Sequence, residues 1–257
     1  MPALPLAAWL DSYHTDLRTA LDCAAEQEFR YVQANAARDE FDPRAWPPSA
    51  RRHLRRYLRD RGLTLQGLTL EFPGAGLADP RAADARVARL RATLEMCADL
   101  GVRRAGVTLG GRSDPATADL ARELLGVVAA EADRVGVLTT VSDPADPGDL
   151  PSVVRATGAP LLRAGFDTAV HPAGGRSVSD LAAAGDVFLR DGRRRPHGFE
   201  ETEFGAGDVD FARWLADVAT AAPDAGLVLR RDTPGRVDAL RKGRVYMEAL
   251  LGRPPSP

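Results

Sequence analysis

The 257-residue chain has no isoleucine, one asparagine (Asn35) and one lysine (Lys242), so 33 of its 34 basic side chains are arginine. The joint scarcity of Ile, Lys and Asn reads as a genome-wide codon bias. It still has chemical consequences. Schiff-base catalysis needs a buried lysine. Lys242 sits near the C-terminus on what reads as the last helix, which argues against lysine-based aldolase or pyridoxal chemistry. Cysteine is scarce too. Cys23 and Cys97 stand alone, with no C-x-x-C pair and no histidine at ligand spacing, and read as free buried thiols of a reducing cytoplasm. The N-terminal MPALPLAAWLDSYH lacks a basic n-region and soon meets Asp11, so it reads as neither a signal peptide nor a membrane span. A net charge of −2 lacks the basic excess with which a general nucleic-acid binder displaces counterions.

What is present is a regular alternation. Short β-type runs occur at Leu4–Leu10, Tyr31–Ala34, Leu63–Glu71, Ala105–Leu109, Val137–Val141, Leu161–Asp167, Val187–Arg190 and Leu227–Leu229. Helical patterns follow them, at Asp16–Glu26, Pro48–Arg61, a long helix opened by Asp79-Pro80, another from Asp114-Pro115 to Arg134, Leu150–Ala156, Ser179–Ala184, Asp210–Ala222 and Pro234–Leu251. Eight such units average about 32 residues, the size of one β/α unit. The economical solution is an α/β chain forming a single (β/α)8 barrel of eight parallel strands with outer helices. It spans residues 1–252 and leaves a frayed tail at 253–257. An open doubly wound sheet is disfavoured because no G-x-G-x-x-G follows the first strand.

In such a barrel the chemistry lies at the C-terminal strand ends. That rule selects Asp11, Gln33, Glu71, Leu109-Gly110, Ser142-Asp143, Asp167, Arg190-Asp191 and Arg230-Arg231-Asp232. The phrases LRRYLRDRGLTLQGL, DPRAADARVARLRATLEMCADLGVRRAGVTLGG, EADRVGVLTTVSD, LLRAGFDTAV, VFLRDG, FGAGDVDF and AGLVLRRD, in this order, resemble the xylose isomerase-like TIM barrels. That family includes sugar-phosphate isomerases and epimerases and, more distantly, endonuclease IV. The resemblance covers roughly Leu17 to Leu251.

The resemblance implies a divalent metal (Mn, Mg or Zn) at the barrel mouth. Its ligands would be a Glu, an Asp, a His and a Glu from strands five to eight. Those positions read Ser142, Asp167, Phe188 and Arg230 here, so one ligand of four is kept. The expectation is that no metal is held in the usual way. The resemblance to endonuclease IV would require a dense set of metal ligands, which four scattered histidines (His14, His53, His171, His197) do not supply.

Three arrangements could replace the metal. Arg230 could project towards Asp167 as a fixed cation and lower its pKa, or the two could form a rim salt bridge. Arg190 and Arg230 could hold a phosphate or carboxylate, while Arg193–Arg195 reads as solvated. The repeat Gly110-Gly111-Arg112-Ser113 and Gly174-Gly175-Arg176-Ser177 could curl into anion nests, or be chance in a Gly- and Arg-rich chain. For proton transfer the candidates are Glu71, Asp167, Asp191 and His171. His197 with Glu200, Glu201 and Glu203, and His14, reach towards the same face, whereas His53 lies on a solvated arginine helix. The expected function is a divergent isomerase or epimerase for a small sugar, polyol or their phosphates. The alternatives are a ligand-binding barrel without catalysis and, behind it, a repair nuclease. The expected partner is a small sugar-like or anionic molecule, with neither nucleic acid nor membrane, and homo-oligomerisation is left open.

Overall fold

The apolar runs become the staves of a closed barrel. In a computed structural model, residues 4–171, 177–196, 198–234 and 238–252 are described. The strands are β1 (Leu6–Trp9), β2 (Tyr31–Asn35), β3 (Thr64–Leu70), β4 (Arg104–Thr108), β5 (Leu138–Ser142), β6 (Leu162–Asp167), β7 (Ala184–Leu189), β8 (Gly192–Arg195), β9 (Gly198–Glu201) and β10 (Gly226–Leu229). Eight of them close in the order β1-β2-β3-β4-β5-β6-β7-β10, every barrel pair parallel. The helices are α1 (Leu17–Glu26), α2 (Pro48–Asp60), α3 (Ala83–Leu100), α4 (Ala118–Val135), α5 (Leu150–Ala156), α6 (Val178–Leu181), α7 (Phe211–Ala221) and α8 (Ala239–Leu250). The second Gly-Gly-Arg (174–176), His197 and the tail 253–257 lie outside the described residues.

Three expectations about elements need correction. The two Asp-Pro pairs do not cap α3 and α4. Each Asp instead closes a turn just upstream: Asp79 Oδ1 accepts from the Arg81 N–H and Asp114 Oδ1 from the Ala116 N–H, at 3.0 and 2.9 Å. Strand seven begins at Ala184, not Val187, because Asp186 points into the barrel instead of marking a loop. The arginine run is not loop but strand. β8 and β9 form an antiparallel hairpin between β7 and α7, with Arg193, Arg194 and Arg195 exposed as expected.

Packing divides into two shells. Between strands and helices lies the main core, with Leu68, Leu90, Leu94, Met96, Val128, Phe166 and Trp214 buried. Inside the barrel a separate cluster of Trp9, Phe188 and Val228 packs together. Strand alternation puts Phe188 on the same side of β7 as Asp186 and Arg190.

The interior around Asp186 is polar: Gln33, Gln66, Thr69, Thr140 and Asp186 are all buried. Gln33 Nε2 donates to Thr69 Oγ1 at 2.7 Å, and Arg104 Nη1 stands 3.7 Å from Asp186. Gly226 makes room for this layer. A Cβ there would lie 2.5 Å from Asp186 Oδ1 and 2.6 Å from Gln66 Nε2. Burial pushes the Asp186 carboxyl up, and Arg104 opposes the shift.

Candidate functional site at the barrel mouth

β1 and β7 supply an aromatic floor. The Trp9 and Phe188 rings meet edge-to-face, 5.5 Å between centroids at 88°. Arg230, the residue after β10, lays its guanidinium 5.5 Å from each ring centroid. It donates to Glu71, the residue after β3, and its Nε donates to Asp232 Oδ1 at 2.6 Å. Arg190, the residue after β7, donates from Nε to Asp167 Oδ1 at 3.2 Å and pairs with Asp232. Asp232 therefore bridges the two guanidiniums.

The hairpin closes the arrangement. Glu201 at its end stands 3.7 Å from Arg190 Nη1 and accepts from the Asp232 and Thr233 N–H groups at 3.0 and 2.7 Å. Phe199 of the same hairpin lies 5.6 Å from the Arg190 guanidinium.

Two guanidiniums thus meet four carboxylates. Burial pushes the Glu71 carboxyl up, with Arg230 opposing. Burial also pushes Asp167 up, with Arg190 and then Arg230 opposing. This overturns the expectation of a lowered Asp167: desolvation of the carboxylate outweighs the attraction of the arginines. The expected pairing changes as well. Asp167 pairs with Arg190, while Arg230 takes Glu71 and Asp232, because β3 and β10 deliver Glu71 to the side of the guanidinium. Asn35, the lone asparagine, fixes this corner. Its Oδ1 accepts from the Glu71 and Ala37 N–H groups, and its Nδ2 donates to Asp11.

The remaining candidates have structural positions. Asp191 is buried at the hairpin base, not open to the mouth. Its carboxylate accepts from the N–H groups of Gly192, Gly205 and Gly207 at 2.8, 2.6 and 3.2 Å. His171 stands over Phe166, with Nδ1 accepting from the Asp167 backbone N–H at 3.1 Å, so it meets the Asp167 main chain. Arg112 is held through Nε and Nη2 by Asp143, Asp146 and Asp149 at 3.1, 3.1 and 2.5 Å, so three carboxylates already surround its guanidinium. Gly110 and Gly111 answer to close packing rather than to a nest. A Cβ on Gly110, at φ 67°, would lie 2.2 Å from the Ala75 carbonyl oxygen. Trp9, Asp186 and Gln66 were absent from the sequence candidates. Period-two alternation back from Phe188 would have found Asp186.

The four family positions offer few metal donors. Ser142 Oγ sits 3.5 Å from Thr108 Oγ1, Phe188 offers no donor, Arg230 is cationic, and Asp167 is engaged by Arg190. Among the described residues no group of three or more His, Cys, Asp or Glu could hold a metal ion. These residues do not fit the divalent metal that the resemblance implies. No helix among the described residues is long and apolar enough to cross a membrane.

Comparisons with known proteins bear on this geometry. A family profile described as xylose isomerase-like TIM barrel matches residues 21–229. A search of curated proteins found no match. The chain is similar in structure to a xylose isomerase domain protein from Planctomyces limnophilus, with TM-score 0.80, 16% identity and 97% of each chain covered. It is also similar to a xylose isomerase-like TIM barrel protein from Mycobacterium smegmatis in complex with magnesium, with TM-score 0.79, 14% identity and 97% of each chain covered. A third similar structure is a D-psicose 3-epimerase in the presence of D-fructose, with TM-score 0.75, 13% identity and 97% and 100% coverage. At these identities the structural likeness speaks for the fold alone.

Proposed function

This chain belongs to the xylose isomerase-like TIM-barrel family, and on that premise we propose that its mouth is a metal-independent proton-transfer site for a small sugar, polyol or sugar phosphate. The observation that carries the reading is Arg230, held by Glu71 and Asp232 on the Trp9–Phe188 floor where the family resemblance implies a metal-binding glutamate. A fixed guanidinium in a half-dry site stabilises charge developing on a carbonyl oxygen. Glu71, with its pKa raised by burial, takes a proton from the carbon beside that carbonyl. The electron pair of the broken C–H bond forms a C=C bond, the carbonyl π pair moves onto oxygen, and the resulting enediolate oxygen is held by Arg230. Asp167 in its protonated form, its pKa also raised by burial and its carboxyl positioned by Arg190, gives a proton to the neighbouring carbon while the hydroxyl proton passes to the enediolate oxygen, which completes an isomerisation. Return to the original carbon on its opposite face completes an epimerisation. An isomerase or epimerase is the reaction class that this proton relay suits, on a fold shared with an epimerase structure.

Proton NMR in deuterium oxide tests this, with a panel of ketoses and their monophosphates and excess EDTA. Carbon-bound deuterium incorporation that survives EDTA and vanishes in Glu71→Gln is the expected result. Incorporation abolished by EDTA and restored by Mn or Mg would overturn the metal-independent reading. A second reading, a binding barrel without catalysis, is favoured by the saturation of both mouth guanidiniums with carboxylates. Ligand binding without any deuterium incorporation would select it.

A further inference from the structure

Arg231 differs from the arginines beside it. Among the described residues no carboxylate pairs with it. Its Nη1 donates to the Thr202 carbonyl at 2.7 Å, and its Nε is buried with no acceptor. The neighbouring Arg230 and Arg190 are both saturated by acids.

Arg231 lines a cavity of about 250 Å3 behind the rim, between the start of α1 and the start of α8. The other polar groups there are Ser12, Tyr13, His14, Thr15, Thr19 and the Cys23 thiol; the Tyr13 hydroxyl is given to Gln27 Oε1 at 3.3 Å, and none of the ten lining residues is acidic. Ser12 Oγ accepts the Arg231 N–H at 2.8 Å, so its own proton is free to donate elsewhere. The side chains of His14 and Thr15 make no hydrogen bond among the described residues, whereas the Thr19 hydroxyl is already given to Asp16 at 2.7 Å. His14 adopts a left-handed backbone, φ 51° and ψ 39°, at the turn into the cavity. Non-glycine residues in this conformation are uncommon, and histidine is among the types that tolerate it.

We propose that this cavity is an oxyanion subsite for a phosphate monoester or free phosphate, with Arg231 as the charged anchor and Ser12, His14 and Thr15 as neutral donors. An unneutralised guanidinium facing a cavity without acids attracts an anion, and its paired N–H groups suit phosphate oxygens. A tetrahedral dianion accepts from several directions, which matches donors arriving from two different β/α loops.

The subsite deepens the reading of the mouth by naming the charged end of its ligand. It rests on that reading only for this link. Consecutive residues place Arg230 on the inner side of the rim and Arg231 on the outer side. One ligand that spans the rim would set its reacting carbons at Arg230 and its phosphoryl group at Arg231.

Calorimetric titration with inorganic phosphate, an unphosphorylated ketose and its monophosphate tests the inference, using the full chain and Arg231→Gln. Phosphate is expected to bind the wild-type chain, and Arg231→Gln to weaken it by at least about tenfold, as for loss of a charge-assisted pair. Arg231→Lys, which keeps the charge and loses the fork, is expected to fall between them. Tighter binding of the monophosphate than of the parent ketose identifies the phosphoryl end of a substrate. Binding of inorganic phosphate without that preference identifies a free-anion site, and both outcomes uphold the subsite. No phosphate binding up to about 20 mM, or equal binding by wild type and a folded Arg231→Gln, overturns it. Thermal unfolding of each variant separates lost binding from lost fold. Deuterium incorporation is read separately, so a catalytically silent protein that binds phosphate through Arg231 leaves this inference standing while the mouth reading falls.

Discussion

Arg230 and Arg231 follow one another in the chain, on the two sides of one rim, and their surroundings differ chiefly in carboxylates. Arg230 lies over two aromatic rings with Glu71 and Asp232 bound to it. Arg231 reaches a backbone carbonyl and a cavity with no acid in its lining. The lesson is that charge on a barrel rim is decided by which neighbouring loop supplies the counter-ion, not by the density of arginine. A chain with 33 arginines keeps nearly balanced charge because 36 Asp and Glu are available to meet them. An arginine left without one is therefore informative.

The largest effect on this comparison should come from Arg230→Ala. It strands Glu71 at a half-buried site and leaves Asp232 to Arg190 alone, with an expected loss of about 2–3 kcal/mol of stability, less than for a fully dry pair because Glu71 is 25% and Asp232 43% exposed. Urea unfolding at neutral pH measures it, and a loss within experimental error would show that the pairs are not energetically coupled to the fold. Arg112→Ala should cost somewhat less, about 1–2 kcal/mol, since Asp146 and Asp149 stay solvated while Asp143 loses its partner. Phosphate and sugar binding should be unchanged in that variant. A loss of phosphate affinity there would reopen the Gly110-Gly111-Arg112 turn as an anion site.

A pH series on Asp186→Asn sharpens the contrast between the wet rim and the dry interior. The folded pKa of Asp186 is raised, so below the unfolded carboxylate value both states hold the proton and no penalty applies. As pH rises through the window between the unfolded and folded values, the unfolded chain releases this proton while the folded state still holds it, so wild-type stability should fall relative to the variant. Parallel urea midpoints for the two proteins from acid to neutral pH would contradict the shift. The smallest effect is expected from Arg231→Gln in phosphate-free buffer. Only the bond to the Thr202 carbonyl is lost, about 1 kcal/mol or less. A loss as large as that of Arg230→Ala would mean that Arg231 is structural after all.

Much of this architecture was legible in the residues. Apolar runs of strand length, each followed by a helical pattern, leave a parallel barrel as the economical arrangement, and strand ends are where a barrel exposes chemistry. Glu71, Asp167, Arg190, Arg230 and Asp232 were all on that basis candidates before any contact was known. The hairpin was not legible, because Arg193–Arg195 and the following residues carry no apolar alternation. They pair as strands because Asp191 gathers three backbone N–H groups at their base. Asp186 was not legible either, since a carboxylate inside a strand contradicts the apolar pattern used to find strands.

By itself, then, the sequence determined the repeat of β/α units and the absence of a lysine suited to Schiff-base chemistry. It also determined the chemical identity of the side chains at each strand end, since all of these follow from local pattern and composition. Tertiary structure alone decided which carboxylate meets which guanidinium. Asp167 went to Arg190 and Arg230 to Glu71, across 23 and 159 residues of chain. Tertiary structure also decided that Arg231 would meet no acid among the described residues. Ion pairing depends on distances of a few ångströms between loops remote in sequence, and barrel closure sets those distances.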